Sequence, residues 1–110
     1  MEFKKFVYNE ETGLKDLGGG VKRKVLAYSD DMMQVEVHFK EGSKGDMHTH
    51  PHVQTTYVLE GEFEFCVGGE TKIVKKGDMV YMPSNEKHGC VCLKDGVLLD
   101  SFTPCRKDFL

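Results

Sequence analysis

A chain of 110 residues, 30% charged and 39% hydrophobic, has the size and composition of one globular domain and leaves no room for a second folded module. Its net charge of −3 and the lack of a basic stripe argue against a nucleic-acid partner; the densest basic run, KRK at 22–24, reads as a solvated strand face. No apolar run approaches the roughly 18 residues of a bilayer span, and MEFKKFVYNEETG lacks the apolar stretch of a secretion signal, so a cytoplasmic protein with no membrane partner is expected.

Alternation of apolar and polar residues dominates the chain, and helical periodicity is short wherever it occurs. Gly18-Gly19-Gly20 reads as a flexible joint between an N-terminal arm, residues 1–20, and the first core strand. In MMQVEVHFK (32–40), Met33, Val35, Val37 and Phe39 share one face, with His38 on the polar one. VQTTYVLE (53–60) is a strand with Tyr57 in the core or an interface. Gly61 is expected to turn the chain into FEFCV (63–67). Gly68-Gly69 is a hairpin signal before TKIVKK, and Gly77-Asp78 precedes MVYMP. HGCVCLKD (88–95) and VLLDSF (97–102) flank Asp95-Gly96, read as another hairpin turn. RKDFL closes the chain as a short helical turn or an irregular tail. Many short strands with glycine turns indicate an all-β sandwich or small barrel. Cys90 and Cys92 project to one side of their strand, which is poor disulfide geometry. They read as small buried hydrophobes kept reduced.

Three of the five histidines fall in HTHPHVQ, 48–54. With 46–50 extended, His48 and His50 share a face with Cα atoms about 6.5–7 Å apart, so their imidazoles can converge on one metal ion. Pro51 bends the chain and should carry His52 out of the cluster. Gln54 offers an amide oxygen from the next strand, and His88 opens a later one.

The wider spacing is more specific. Gly42, five residues, His48, one residue, His50, three residues, Gln54, six residues and Gly61 make the first pattern. Gly77, five residues, Pro83, one residue, Asn85, two residues and His88 make the second. These resemble the two motifs of the cupin superfamily, with Gln54 where glutamate is usual, Asn85 where glycine is usual, and Cys92 where an asparagine closes the second motif. HTHPHVQ…YVLEGEFEF and LLDSFTPCRKDFL (98–110) resemble the pectin-degradation cupins, which open the ring of unsaturated uronates.

This resemblance implies a single-domain, small double-stranded β-helix (cupin) barrel over 21–104, with a tail, 105–110, closing over its mouth. It implies a divalent metal, Zn, Ni, Mn, Fe or Co, on His48, His50, Gln54 and His88. It implies a small anionic sugar as substrate, with Asp100, Phe102 and Arg106 at the functional positions, Asp100 as acid or base and Arg106 on the substrate carboxylate. It also implies a homodimer, in which the arm is a candidate for exchange between subunits. Arg23 is a weaker candidate for anion binding. The implied reaction converts a 4,5-unsaturated uronate to the linear 4-deoxy-5-keto-uronate with no net redox change. Three neutral imidazoles and a neutral amide would leave the ion its full +2 charge, which favours Lewis-acid work over Fe(III) chemistry. The alternatives are an Fe(II)-dependent dioxygenase, which oxygen uptake would reveal, and a non-catalytic sugar-binding cupin.

Overall fold

A computed structural model describes residues 2–110. Eight strands follow in order: β1 (Lys15–Gly18), β2 (Val21–Tyr28), β3 (Met33–Phe39), β4 (Lys44–His48), β5 (Val53–Val67), β6 (Glu70–Lys75), β7 (Met79–Met82) and β8 (His88–Thr103). All pairings are antiparallel, in the order β1-β2-β3-β8-β5-β6, with β4 also on β8 and β7 also on β5.

The two long strands organise the barrel. β5 and β8 pair from Val53↔Thr103 to Val67↔His88. Beyond that shared pairing, the first half of β5 is flanked by β7 and its second half by β6. The second half of β8 is flanked by β3 and its first half by β4. Each long strand therefore belongs to two sheet faces, and the faces close over one core. Met33, Val35, Val37 and Phe39 alternate into that core as their period-two pattern requires, against Val58, Phe63, Phe65, Leu98 and Phe102.

Two expected turns are not turns. Gly61 and Asp95-Gly96 lie inside the continuous strands β5 and β8, where the register shifts repeatedly between Val58 and Phe63. Gly61 has φ +84, and a Cβ there would meet the carbonyl oxygen of Asp95 at 2.5 Å. A Cβ on Gly96 would lie 2.6 Å from the Glu60 carbonyl oxygen. The glycines let the backbones approach at a bulge, which bends the strands from one face to the other without breaking them. Glycine between two alternating runs reads the same in sequence for a bulge as for a hairpin.

The Gly18–Gly20 stretch is likewise no loose joint, because β1 folds back on β2 through it as a hairpin. The basic run at 22–24 is not a uniformly solvated face either. Lys24 is buried, its ammonium on the backbone and side-chain oxygens of Asn9 at 3.0 and 2.8 Å, and Arg23 turns to the inner side of the sheet. Tyr57 is exposed on the outer face and takes no part in the core. Residues 107–109 form a short 3-10 turn. The four cysteines are free. No helix among the described residues is long and apolar enough to cross a membrane.

Gly61→Ala would force a side chain into the left-handed region against backbone atoms. Equilibrium urea denaturation should show a loss of about 2–4 kcal/mol, and a loss below about 0.5 kcal/mol would contradict the bulge assignment.

Candidate metal centre

The site is built at one end of the barrel from the ends of β4, β5 and β8 and the bend after β4. β4 stops at His48, so His48 and His50 do not share a strand face as the alternation had suggested. The bend brings them together by another route. The backbone N–H of Asn85 donates to the His50 carbonyl at 2.8 Å, and the Ser84 hydroxyl donates to the Pro51 carbonyl at 2.6 Å. Asn85 sits at φ 64, the left-handed conformation that its place in the second motif requires. The loop before β8 therefore clamps the loop before β5, and His88 enters from the first position of β8.

His48, His50 and His88 each present a ring nitrogen within 4.8 Å of the others. Their ring centroids lie 5.4, 4.4 and 4.8 Å apart. Each Nδ1 faces a backbone carbonyl two residues away: His48 on Asp46 at 2.7 Å, His50 on His52 at 3.0 Å and His88 on Glu86 at 2.9 Å. A proton on each Nδ1 satisfies those carbonyls and leaves three Nε2 lone pairs for the centre. His52 points elsewhere, its ring beside Phe102 and outside the cluster.

Gln54, 6% exposed, brings an amide oxygen beside this cluster. Its Oε1 is 2.9 Å from His50 Nε2, and its amide nitrogen donates to Thr56 Oγ1 at 3.0 Å. With the proton on Nδ1, two lone pairs meet across that 2.9 Å gap. A cation between them removes the conflict, and two cis ligands at about 2.1 Å from one ion stand about 3 Å apart. His88 Nε2 is buried and has no hydrogen-bond partner among the described residues. Burial holds the His50 and His88 imidazoles below the usual histidine range, so both stay neutral near neutral pH. An orphaned acceptor, two opposed lone pairs and neutral imidazoles all fit a divalent ion.

From Gln54 a polar chain continues inward. Thr56, fully buried, donates its hydroxyl to Asp100 Oδ1 at 2.7 Å. The two residues face each other across the β5–β8 pair. Asp100 keeps some surface open to the cavity, yet its carboxyl lies deep in protein. Burial pushes it up to about 6, opposed by hydrogen bonds from Thr56 and Gln54 and by the charge of Arg106. Thr56 was not singled out from the sequence. Its place two residues after Gln54, on the same face of β5, is the signal that could have found it.

Asp100 and Phe102, two apart on β8, both line the cavity, and so does Arg106. Phe102 is only 2% exposed, packed edge-on between His50 and Phe109 at 5.8 Å from each, so it offers the cavity little more than a ring edge. Arg106 clasps Asp108 through Nε and a terminal nitrogen at 3.1 and 2.8 Å, and lies over the Phe109 ring. Cys105, next to Arg106, is buried and packs on the core. The cavity holds about 670 Å³ and also takes in Arg23, which suits a monosaccharide.

A family model described as a cupin domain matches residues 35–101. The pectin degradation protein KdgF of Dickeya dadantii (strain 3937) is 45% identical over 109 residues, spanning 97% of this chain and 99% of that protein. The structure of KdgF from Halomonas sp. superposes with a TM-score of 0.93 at 37% identity, over 97% of this chain and 99% of that one. An RmlC-like cupin from Shewanella frigidimarina NCIMB 400 superposes with a TM-score of 0.95 at 40% identity, over 97% and 96%.

Titrated with Ni(II) after chelator treatment, His50→Ala and His88→Ala should bind at least about a hundredfold more weakly than wild type. Thr56→Val should bind about tenfold more weakly and Thr56→Ser close to normally. Equal affinities for Thr56→Val and wild type would remove Thr56 from the support of the centre. A carboxyl raised in the fold favours the folded state below its unfolded value near 4, and that stability is lost as pH climbs through about 6. Metal-free Asp100→Asn lacks this loss. Its melting temperature should fall less than that of wild type between about pH 4 and about pH 7.5.

Proposed function

The chain belongs to the cupin family, and on that premise we propose that it is an enzyme that opens the ring of 4,5-unsaturated uronate monosaccharides from pectin or alginate breakdown. The supporting observation is a polar chain from the histidine cluster through Gln54 and Thr56 to Asp100 inside a monosaccharide-sized cavity. This chain is, in addition, alike over nearly its whole length to a pectin degradation protein.

The reaction is an isomerisation. The anomeric hydroxyl of the unsaturated uronate gives up its proton, the bond from C1 to the ring oxygen breaks, and the ring oxygen becomes the C5 carbonyl as C4 gains a proton. One proton leaves and one arrives, so the product is the linear 4-deoxy-5-keto-uronate with no electrons exchanged. His48, His50, Gln54 and His88 would hold a divalent ion, which would supply Lewis acidity; nitrogen and oxygen donors suit Zn, Ni, Mn, Fe or Co.

Asp100 carries the proton. A carboxyl raised to about 6 can accept a proton from a sugar hydroxyl and return one to carbon near neutral pH. Thr56 holds Oδ1 of that carboxyl in place. Arg106 takes part in binding the sugar carboxylate, and Phe102 closes the cavity behind the sugar ring. The same reading places the enzyme in the cytoplasm as a homodimer. Tyr57, Met79 and Tyr81 expose one apolar patch on adjoining strands for a second copy, and the arm, residues 1–20, is the segment suited to exchange.

Metal-loaded wild type should speed the ultraviolet loss of the substrate double bond well above the spontaneous rate. Asp100→Asn should keep its metal and lose at least about a hundredfold in kcat. Full activity in Asp100→Asn, or no acceleration by wild type, would overturn the reading.

A further inference from the structure

Arg23 lies on β2 opposite Val37, on the side of the sheet that carries the core. A guanidinium on an inward-facing strand position loses water and needs a reason to be there. Among the described residues, none accepts a hydrogen bond from the Arg23 side chain, and no carboxylate lies within ion-pairing distance of it. Its guanidinium carbon lies 3.9 Å from the centroid of Phe109, and that of Arg106 lies 4.2 Å from the same centroid. The two cations therefore share one aromatic ring, and both line the cavity with His48, Gln54, His88 and Asp100.

The carboxylates near the two arginines are already engaged by other groups. Asp108 is engaged by Arg106 through both its oxygens. Asp100 is held by Thr56 on the β8 side. Arg23 keeps its donors free, with burial and the neighbouring Arg106 both working against its charge and Asp108 offsetting them only in part. A bidentate anion entering the cavity would meet an unengaged planar fork, already oriented by Phe109.

We propose that Arg23 is the principal binding residue for the substrate carboxylate, with Arg106 as a supporting charge that also holds the tail in place through Asp108. This rests on the ring-opening reading, and it makes Arg23 the residue that sets preference for acidic over neutral sugars. Its contacts form with the sugar's carboxylate and not with the breaking bond, so its loss should raise KM and spare kcat.

The test is calorimetric titration of metal-loaded wild type, Arg23→Met and Arg23→Gln with galacturonate and with its neutral methyl ester, beside steady-state kinetics on the unsaturated uronate. Wild type should prefer the acid by at least about tenfold. Both variants should lose that preference, binding the acid about tenfold to a hundredfold more weakly and the ester as before, with KM raised by a similar factor. Thermal melting checks folding. If the Met variant melts early, Arg23→Gln, which keeps much of the stem over Phe109, decides the matter. Unchanged acid preference in a folded variant, or no acid preference in wild type, overturns the proposal. Lost preference in a protein that never speeds ring opening would support the carboxylate site and remove the reaction. Fast ring opening with an unchanged KM in the variants would do the reverse.

Discussion

The amide of Gln54 is the constraint on which the site depends. An amide has one end that only accepts and one that only donates, and here both ends are used. Oε1 faces His50 Nε2, and the nitrogen donates to Thr56, whose own proton goes to Asp100. Each step fixes the direction of the next. A glutamate at 54 would present oxygen to Thr56, whose single proton cannot serve two carboxylates. The metal end and the acid end of the cavity are therefore coupled through one hydroxyl. An amide at 54 adds no negative charge beside the histidines, and it leaves the Thr56 proton to Asp100.

The fold supplies this arrangement through two strands. Gln54 and Thr56 occupy consecutive inward positions of β5. Phe102 and Asp100 face them in register on β8. The bulges at Gly61 and Gly96 let both strands bend, so His88, at the far end of β8, meets His48 across the β4–β8 pair. A hairpin at Gly96 would have put His88 and Asp100 on separate strands and not on the one bent strand that carries both. The bend after β4 contributes His50, pinned by Asn85 and Ser84. Sheet register thus does most of the positioning, and two loop hydrogen bonds do the rest.

Much of this was legible in the sequence, for physical reasons. Period-two alternation exposed the inward face of β3, and the resemblance of the two motifs pointed to His48, His50 and His88 as neighbours, which they are. Asn85 stands where the motif usually has glycine, and its backbone takes the left-handed conformation that glycine readily adopts. The bulges were not legible, because glycine permits a turn and a close strand approach equally. Nor was the inward aim of Arg23 and the burial of Lys24: a basic run suggests solvent, and only the covering Asn9 and Phe109, far away in sequence, reverse that. Thr56 was hidden because a hydroxyl on a strand is ordinary until its cross-strand partner is known to be a buried acid.

The account places one divalent ion among three Nε2 atoms and one amide oxygen, with the amide nitrogen turned to Thr56. A crystal structure of the metal-loaded protein, with anomalous maps at the absorption edge of the metal, tests this most directly. The account predicts a single peak about 2.0–2.2 Å from Nε2 of His48, His50 and His88 and from Gln54 Oε1. A peak bound elsewhere, or a fully loaded site in which Gln54 has turned away and lost Thr56, would contradict it.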